Sequence, residues 1–181
     1  MNALTYSFCG KPAIGLVMFM TGLCVFPNPV RQLPISLGDA GAVAHVEFDA
    51  PVTKPYELEL VFGYTEGNFP QARSFVGESG GASCSMRYAS RETVSTNASF
   101  TGIATPFEVT IQSATNSAIV EHFFLSGSCG ASWYAKGEIG RTLTAINLKE
   151  GKYRLIVKNL NAHEPLKSMA MSISLSPGST K

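Results

Sequence analysis

Charge is what this chain has least of: 14 Lys and Arg and 13 Asp and Glu in 181 residues, 15% in all, against roughly 25% in an average globular protein. Aspartate occurs only at Asp39 and Asp49, and neither has a second carboxylate at a spacing that would suit an acid and base pair. The formal net charge is +1 and the basic residues are scattered, so no basic stripe exists to neutralise a run of phosphates, which weighs against nucleic acid as a partner. His45, His122 and His163 lie far apart, without a second ligand type at metal spacing, and no metal is expected. Gly-x-Ser-x-Gly, His-Glu-x-x-His, P-loop and dinucleotide patterns are all missing. No cofactor is therefore expected and the chain reads as non-enzymatic; an uncharacterised hydrolase built from scattered residues is the enzymatic alternative.

The first thirty residues carry an address. Lys11 precedes the uncharged apolar run Pro12 to Phe26, which is signal-peptide length, too short to span a bilayer, and ended by Pro27 and Pro29. Residues 1–26 are expected to be a signal peptide or lipoprotein signal, and residues 27–181 a single domain. Cleavage after Cys24 would place small residues at Gly22 and Cys24. Alternatively Cys24 is the acylated first residue of a lipoprotein, although Leu23 stands where such signals carry Gly or Ala.

From Leu33 onward the apolar period is two. In Pro55 to Tyr64, the side chains of Tyr56, Leu58, Leu60, Phe62 and Tyr64 share one face, and Glu57 and Glu59 the other. Similar runs occur at Ala42 to Phe48, Phe107 to Ile111, Ala118 to Leu125, Leu143 to Leu148, Lys152 to Leu160 and Ser168 to Leu175, with Leu33 to Leu37 as a further strand. With no long helical period between them, these runs predict an all-β fold: an antiparallel β-sandwich of Greek-key, immunoglobulin-like or jelly-roll type. Lys149-Glu150-Gly151-Lys152-Tyr153 reads as a tyrosine corner, with Gly151 at a positive-φ position. Residues 65–105 break the rhythm. Asn68 to Gly77, with a capping Asn, an early Pro and a terminating Gly, predicts one short helix. Gly77 to Ser99 reads as a long Gly/Ser-rich loop or weak edge hairpin, and Asn97-Ala98-Ser99 matches a glycosylation acceptor.

Two cysteines remain outside the signal segment, Cys84 and Cys129, both in Gly/Ser-rich stretches. In an oxidising compartment they are expected to pair, closing a loop of about 45 residues for roughly 3–4 kcal/mol. Trp133 and Tyr134, flanked by small residues, could form a sugar-stacking or protein-docking platform, whereas the lone tryptophan of a sandwich is more often core. Tyr64, Glu66, Asn68 and Arg73 form a second candidate binding group. Their plain structural roles would be strand end, helix-start charge, helix cap and ion-pair partner of Glu66.

Two segments resemble a proteobacterial family of envelope proteins, many of them lipoproteins, classed as a domain of unknown function. One is Val46 to Arg73, ending in Phe62-Gly63-Tyr64-Thr65-Glu66-Gly67-Asn68. The other is Arg141 to Ile173, with Arg141, the Leu148-x-x-Gly151-x-Tyr153-Arg154 corner and the Leu160 to Pro165 turn. The resemblance implies a periplasmic or outer-envelope address and supplies no activity; small exported sandwiches of this kind sometimes serve as immunity proteins against secreted toxins. The expected function is a non-enzymatic module binding an envelope protein, with membrane contact only through lipidation of Cys24. A carbohydrate- or lipid-binding module is the alternative.

Overall fold

The computed structural model describes residues 28–77, 87–95 and 100–178. Within them the strands are β1 (Val30–Pro34), β2 (Val43–Ala50), β3 (Lys54–Gly63), β4 (Arg87–Tyr88), β5 (Phe107–Ser113), β6 (Ile119–Leu125), β7 (Trp133–Ala135), β8 (Glu138–Leu148), β9 (Gly151–Asn159) and β10 (Met171–Pro177), with one α-helix, α1 (Phe69–Val76). The alternation along residues 55–64 is realised in β3. Tyr56, Leu58, Leu60 and Phe62 are fully buried on one face, because a pleated strand sends alternate side chains to opposite sides. Opposite them lie Val109, Ile111, Leu155 and Val157 from a second layer, equally buried. The strands form two five-stranded sheets, β1-β10-β3-β8-β7 and β2-β9-β5-β6-β4, and every pairing is antiparallel. This is the expected sandwich.

Two of the crossings between sheets, from β2 to β3 and from β8 to β9, each carry a tyrosine corner. At the expected one, Tyr153 Oη donates to the Lys149 carbonyl at 3.0 Å. At the other, which sequence reading missed, Tyr56 Oη donates to the Val52 carbonyl at 2.8 Å. Both bonds reach back four residues, satisfying a corner carbonyl that the ladder has released. Gly151 corrects an expectation: it is not among the positive-φ glycines. The turn is made at Lys149 and Glu150, and Gly151 is already extended in β9, opposite Ala50.

Several boundaries differ. β8 begins five residues before the apolar run Leu143 to Leu148 because Arg141 interrupts the apolar pattern yet is itself buried. β7, only three residues long and so too short to show a period, pairs with the start of β8, and β10 starts at Met171 rather than Ser168. β4 gives the Gly/Ser-rich interval an edge strand. From it Arg87 reaches across the open side, donating to Thr144 Oγ1 (3.2 Å), Glu121 Oε2 (3.1 Å) and the Ala145 carbonyl, a strut between the sheets.

Candidate functional site

The expected helix forms as α1, preceded by a 3-10 turn, Glu66–Asn68. Asn68 does not cap α1 with its side chain. Its Oδ1 instead accepts from the Thr65 backbone N–H at 2.7 Å, closing the 3-10 turn on itself, because Asn68 is the third residue of that turn before it begins the helix. The turn points Phe69 back at the sheet. The Phe69 ring lies 4.9 Å from that of Tyr64 and 6.5 Å, edge-on, from that of Tyr134. Tyr64 Oη donates to the Ala135 carbonyl at 2.9 Å, and its backbone N–H to the Gly137 carbonyl at 2.8 Å. Two segments seventy residues apart, nominated separately, thus converge on one ridge, with Tyr134 51% exposed at its crest. Glu66 and Arg73 are exposed, at the 3-10 turn and on α1 respectively, and frame rather than build the ridge.

The helix is held by Arg141, a fully buried arginine on β8. Its guanidinium donates to the Val76 (2.7 Å) and Phe75 (3.3 Å) carbonyls at the C-terminus of α1, where released helix carbonyls concentrate negative potential. It also donates to the Gly127 (2.8 Å) and Ile103 (3.1 Å) carbonyls and to Thr105 Oγ1 (3.0 Å), and it lies over the Phe62 and Phe100 rings. Gly127 is required in this cage. Its φ is +59°, and a Cβ there would fall 2.0 Å from the Thr105 carbonyl oxygen.

Trp133 and Tyr134, read together as either core or a shared platform, are sent to opposite faces of the first sheet by strand alternation. Trp133 is half-buried on the outer face, opposite Gly140, and is not a core residue. A Cβ at Gly140 would fall 1.9 Å from Trp133 Cε2, 2.2 Å from Nε1 and 2.4 Å from Cζ2. Since the ring-fusion carbon is nearer than the rim atoms beside it, the indole lies face down on the glycine. Its Nε1 donates to Glu59 Oε1 at 2.8 Å. Glu59 is only 7% exposed; burial pushes its carboxyl above the ordinary value, partly opposed by the Trp133 hydrogen bond. Sequence reading had placed Glu59 on a plain polar face, since only register reveals that a tryptophan covers it.

Beside this pair runs a cleft of about 620 Å³, whose lining includes Leu37, Val61, Lys167, Met169 and Met171. At one end Gln32 Nε2 donates to Glu138 Oε1 at 2.9 Å. Gln32 reaches there from a bulge in β1, at φ +49°, a left-handed conformation rare in non-glycine residues.

His163 is half-buried, because its backbone N–H donates to the Leu37 carbonyl and draws the turn onto the sandwich. Desolvation, then the charge of Arg141, holds its imidazole below the usual value. His122 lies on β6, 3.2 Å from Glu108 Oε1. Among the described residues no group of His, Cys, Asp or Glu side chains converges as metal ligands. Cys129 is a buried free thiol whose Sγ donates to the Thr142 carbonyl at 3.5 Å. Its expected partner Cys84 lies outside the described residues, as do Asn97–Ser99 and the signal segment with Cys24.

The two sheets, with the helix pinned against one end, define an antiparallel β-sandwich. The chain belongs to the family described as a domain of unknown function (DUF5625), whose model matches residues 32–177. A crystal structure of a protein from Sulfurospirillum deleyianum is similar at a TM-score of 0.62 and 19% identity, covering 84% of this chain and 99% of that one, a likeness of fold. A family 35 carbohydrate binding module from an environmental isolate is more distant, at a TM-score of 0.31 and 14% identity over 80% of this chain and 75% of that one, too low to establish a shared fold. No curated protein matches the chain.

Proposed function

We propose that the chain is an exported, non-enzymatic binding module of the bacterial envelope that engages a protein partner through the Tyr64–Phe69–Tyr134 ridge, as an immunity protein would engage a secreted toxin. The observation that carries this reading is the ridge itself. An exposed tyrosine is held by a packed ring, and its strand by a hydrogen bond from Tyr64, so little side-chain freedom remains to be lost on docking. Tyrosine is also among the residues most enriched at interface hot spots. Export rests on the apolar run after Lys11, and membrane attachment on acylation of Cys24. The non-catalytic reading rests on the missing nucleophile and acid–base patterns.

The test uses the product of the adjacent gene, purified, with binding measured by interferometry and protection measured in cells. Wild type should bind it and protect the cell, and Tyr134→Ala, at unchanged melting temperature, should bind at least roughly tenfold more weakly. Equal binding by the variant would remove the ridge from the mechanism. Neither binding nor protection by wild type would remove the immunity reading.

A further inference from the structure

The outer face of the first sheet, on the far side from the ridge, carries a second set of observations. Glu57, Glu59 and Val61 on β3 stand opposite Ser176, Ser174 and Ser172 on β10, and Glu59 stands opposite Thr142 on β8. The outward polar side chains of these three strands thus include no lysine or arginine: Glu59 and Ser174 are buried, Ser174 Oγ donating to the Val30 carbonyl at 3.2 Å, while Glu57, Thr142, Ser172 and Ser176 are partly exposed. Above them Trp133 lies face down on Gly140, anchored through Nε1 to Glu59, so its second face is directed away from the sheet. Ser132 extends the hydroxyl set, its Oγ 2.9 Å from Thr142 Oγ1 and donating to the Gly140 carbonyl at 3.1 Å.

We infer that this face is a binding site for neutral hexopyranose rings, with Trp133 as the stacking platform. A pyranose presents an apolar C–H face bordered by hydroxyls. A flat indole bordered by serine and threonine hydroxyls and a carboxylate acceptor complements both parts. The indole is pre-positioned: the missing side chain at Gly140 lets it settle, and the buried carboxylate fixes its rotation, so a sugar need not order it. At the platform, Glu57, Glu59 and Glu138 with no cation among those outward positions disfavour uronic acids and phosphorylated sugars, while Lys167 lines the adjoining cleft. The cleft adjoins the platform. Val61 and Glu138, which line it, are the next outward positions along β3 and β8 from Glu59 and Gly140, about 7 Å away at the rise of a strand. A second ring of an oligosaccharide reaches that cleft, whose volume of about 620 Å³ is in the range of ligand sites, so an oligomer binds more tightly than its monosaccharide.

Trp133 is the one tryptophan of the chain, so intrinsic fluorescence reports from the site alone. The full domain is titrated at millimolar concentrations with cellohexaose, mannohexaose and chitohexaose, with hexagalacturonate as the charged comparison and calorimetry as the second readout. The expected result is a saturable emission shift with at least one neutral hexamer, weaker with the corresponding monosaccharide and absent with hexagalacturonate. By calorimetry Trp133→Phe, which keeps a ring over Gly140, should weaken binding several-fold, and Trp133→Ala by at least roughly tenfold. No saturable change with any neutral hexamer overturns the inference, as does a preference for hexagalacturonate. A folded Trp133→Ala that binds as wild type overturns it too, and should that variant fail to fold, unchanged binding by Trp133→Phe does the same.

Discussion

Replacing Arg141 by methionine should destabilise the domain by about 3–5 kcal/mol, the size expected when one member of a buried polar set is removed and its partners stay behind. The reasoning starts from the acceptors. Exchanging a buried ion pair for apolar side chains is often harmless because both members leave together. Here four of the acceptors are main-chain carbonyls, of Phe75, Val76, Ile103 and Gly127, which no side-chain substitution removes. Each buried carbonyl stranded this way costs about 1–3 kcal/mol, less where water enters, while relief of the desolvated charge offsets part of the sum. For a domain of this size, about 2–4 °C per kcal/mol translates the loss into roughly 6–20 °C of melting temperature. The assay is thermal unfolding followed by far-ultraviolet circular dichroism, with Arg141→Lys alongside. An ammonium with three donors should recover part of the loss and not all of it. A methionine variant melting within about 2 °C of wild type would refute the view that this cage holds α1 and the ridge in place.

The two corner hydroxyls should each be worth about 1–3 kcal/mol, so Tyr56→Phe and Tyr153→Phe should both melt lower and still fold; either melting as wild type would make that tyrosine an ordinary strand aromatic. Asn68→Ala removes the acceptor for the Thr65 N–H and should cost about 0.5–2 kcal/mol by denaturant unfolding, with an unchanged midpoint counting against the closed turn. Glu59→Gln tests the covered carboxylate. Its folded pKa lies above the ordinary 4.5, so the wild-type contribution is present below that value and is lost as pH rises through the raised one. The melting temperature of the variant should therefore gain on wild type from about pH 4.5 toward neutrality, and a difference that stays constant or shrinks would contradict the burial argument.

The candidate surfaces were legible only in part. Tyr64, Asn68 and Tyr134 could be nominated because aromatic and helix-start residues stand out locally, but nothing local says that Phe69 joins Tyr64 to Tyr134. Asn68 shows how local grammar misleads: Asn before Phe-Pro reads as a cap on the helix, yet the turn ahead of it offers a closer donor. Trp133 and Glu59 were read apart, one as an aromatic among small residues and the other as a solvent-face acid. Their hydrogen bond depends on β7 pairing with β8, and on β8 pairing with β3 with a register shift between Leu58 and Glu59.

The sequence by itself determined the class of the fold. A period of two, broken by Gly, Pro and Ser, commits each run to a strand with one apolar face, and such faces are removed from water only by pairing sheets. It also determined the Tyr153 corner and the short helix, whose signals span a few residues. Which strands neighbour one another, where β8 begins, and what occupies the outer face were decided by tertiary structure. Those outcomes turn on groups whose partners are distant in the chain, as Arg141 with Val76 and Gly127 or Gly140 with Trp133, and no local pattern encodes a contact that register alone brings about.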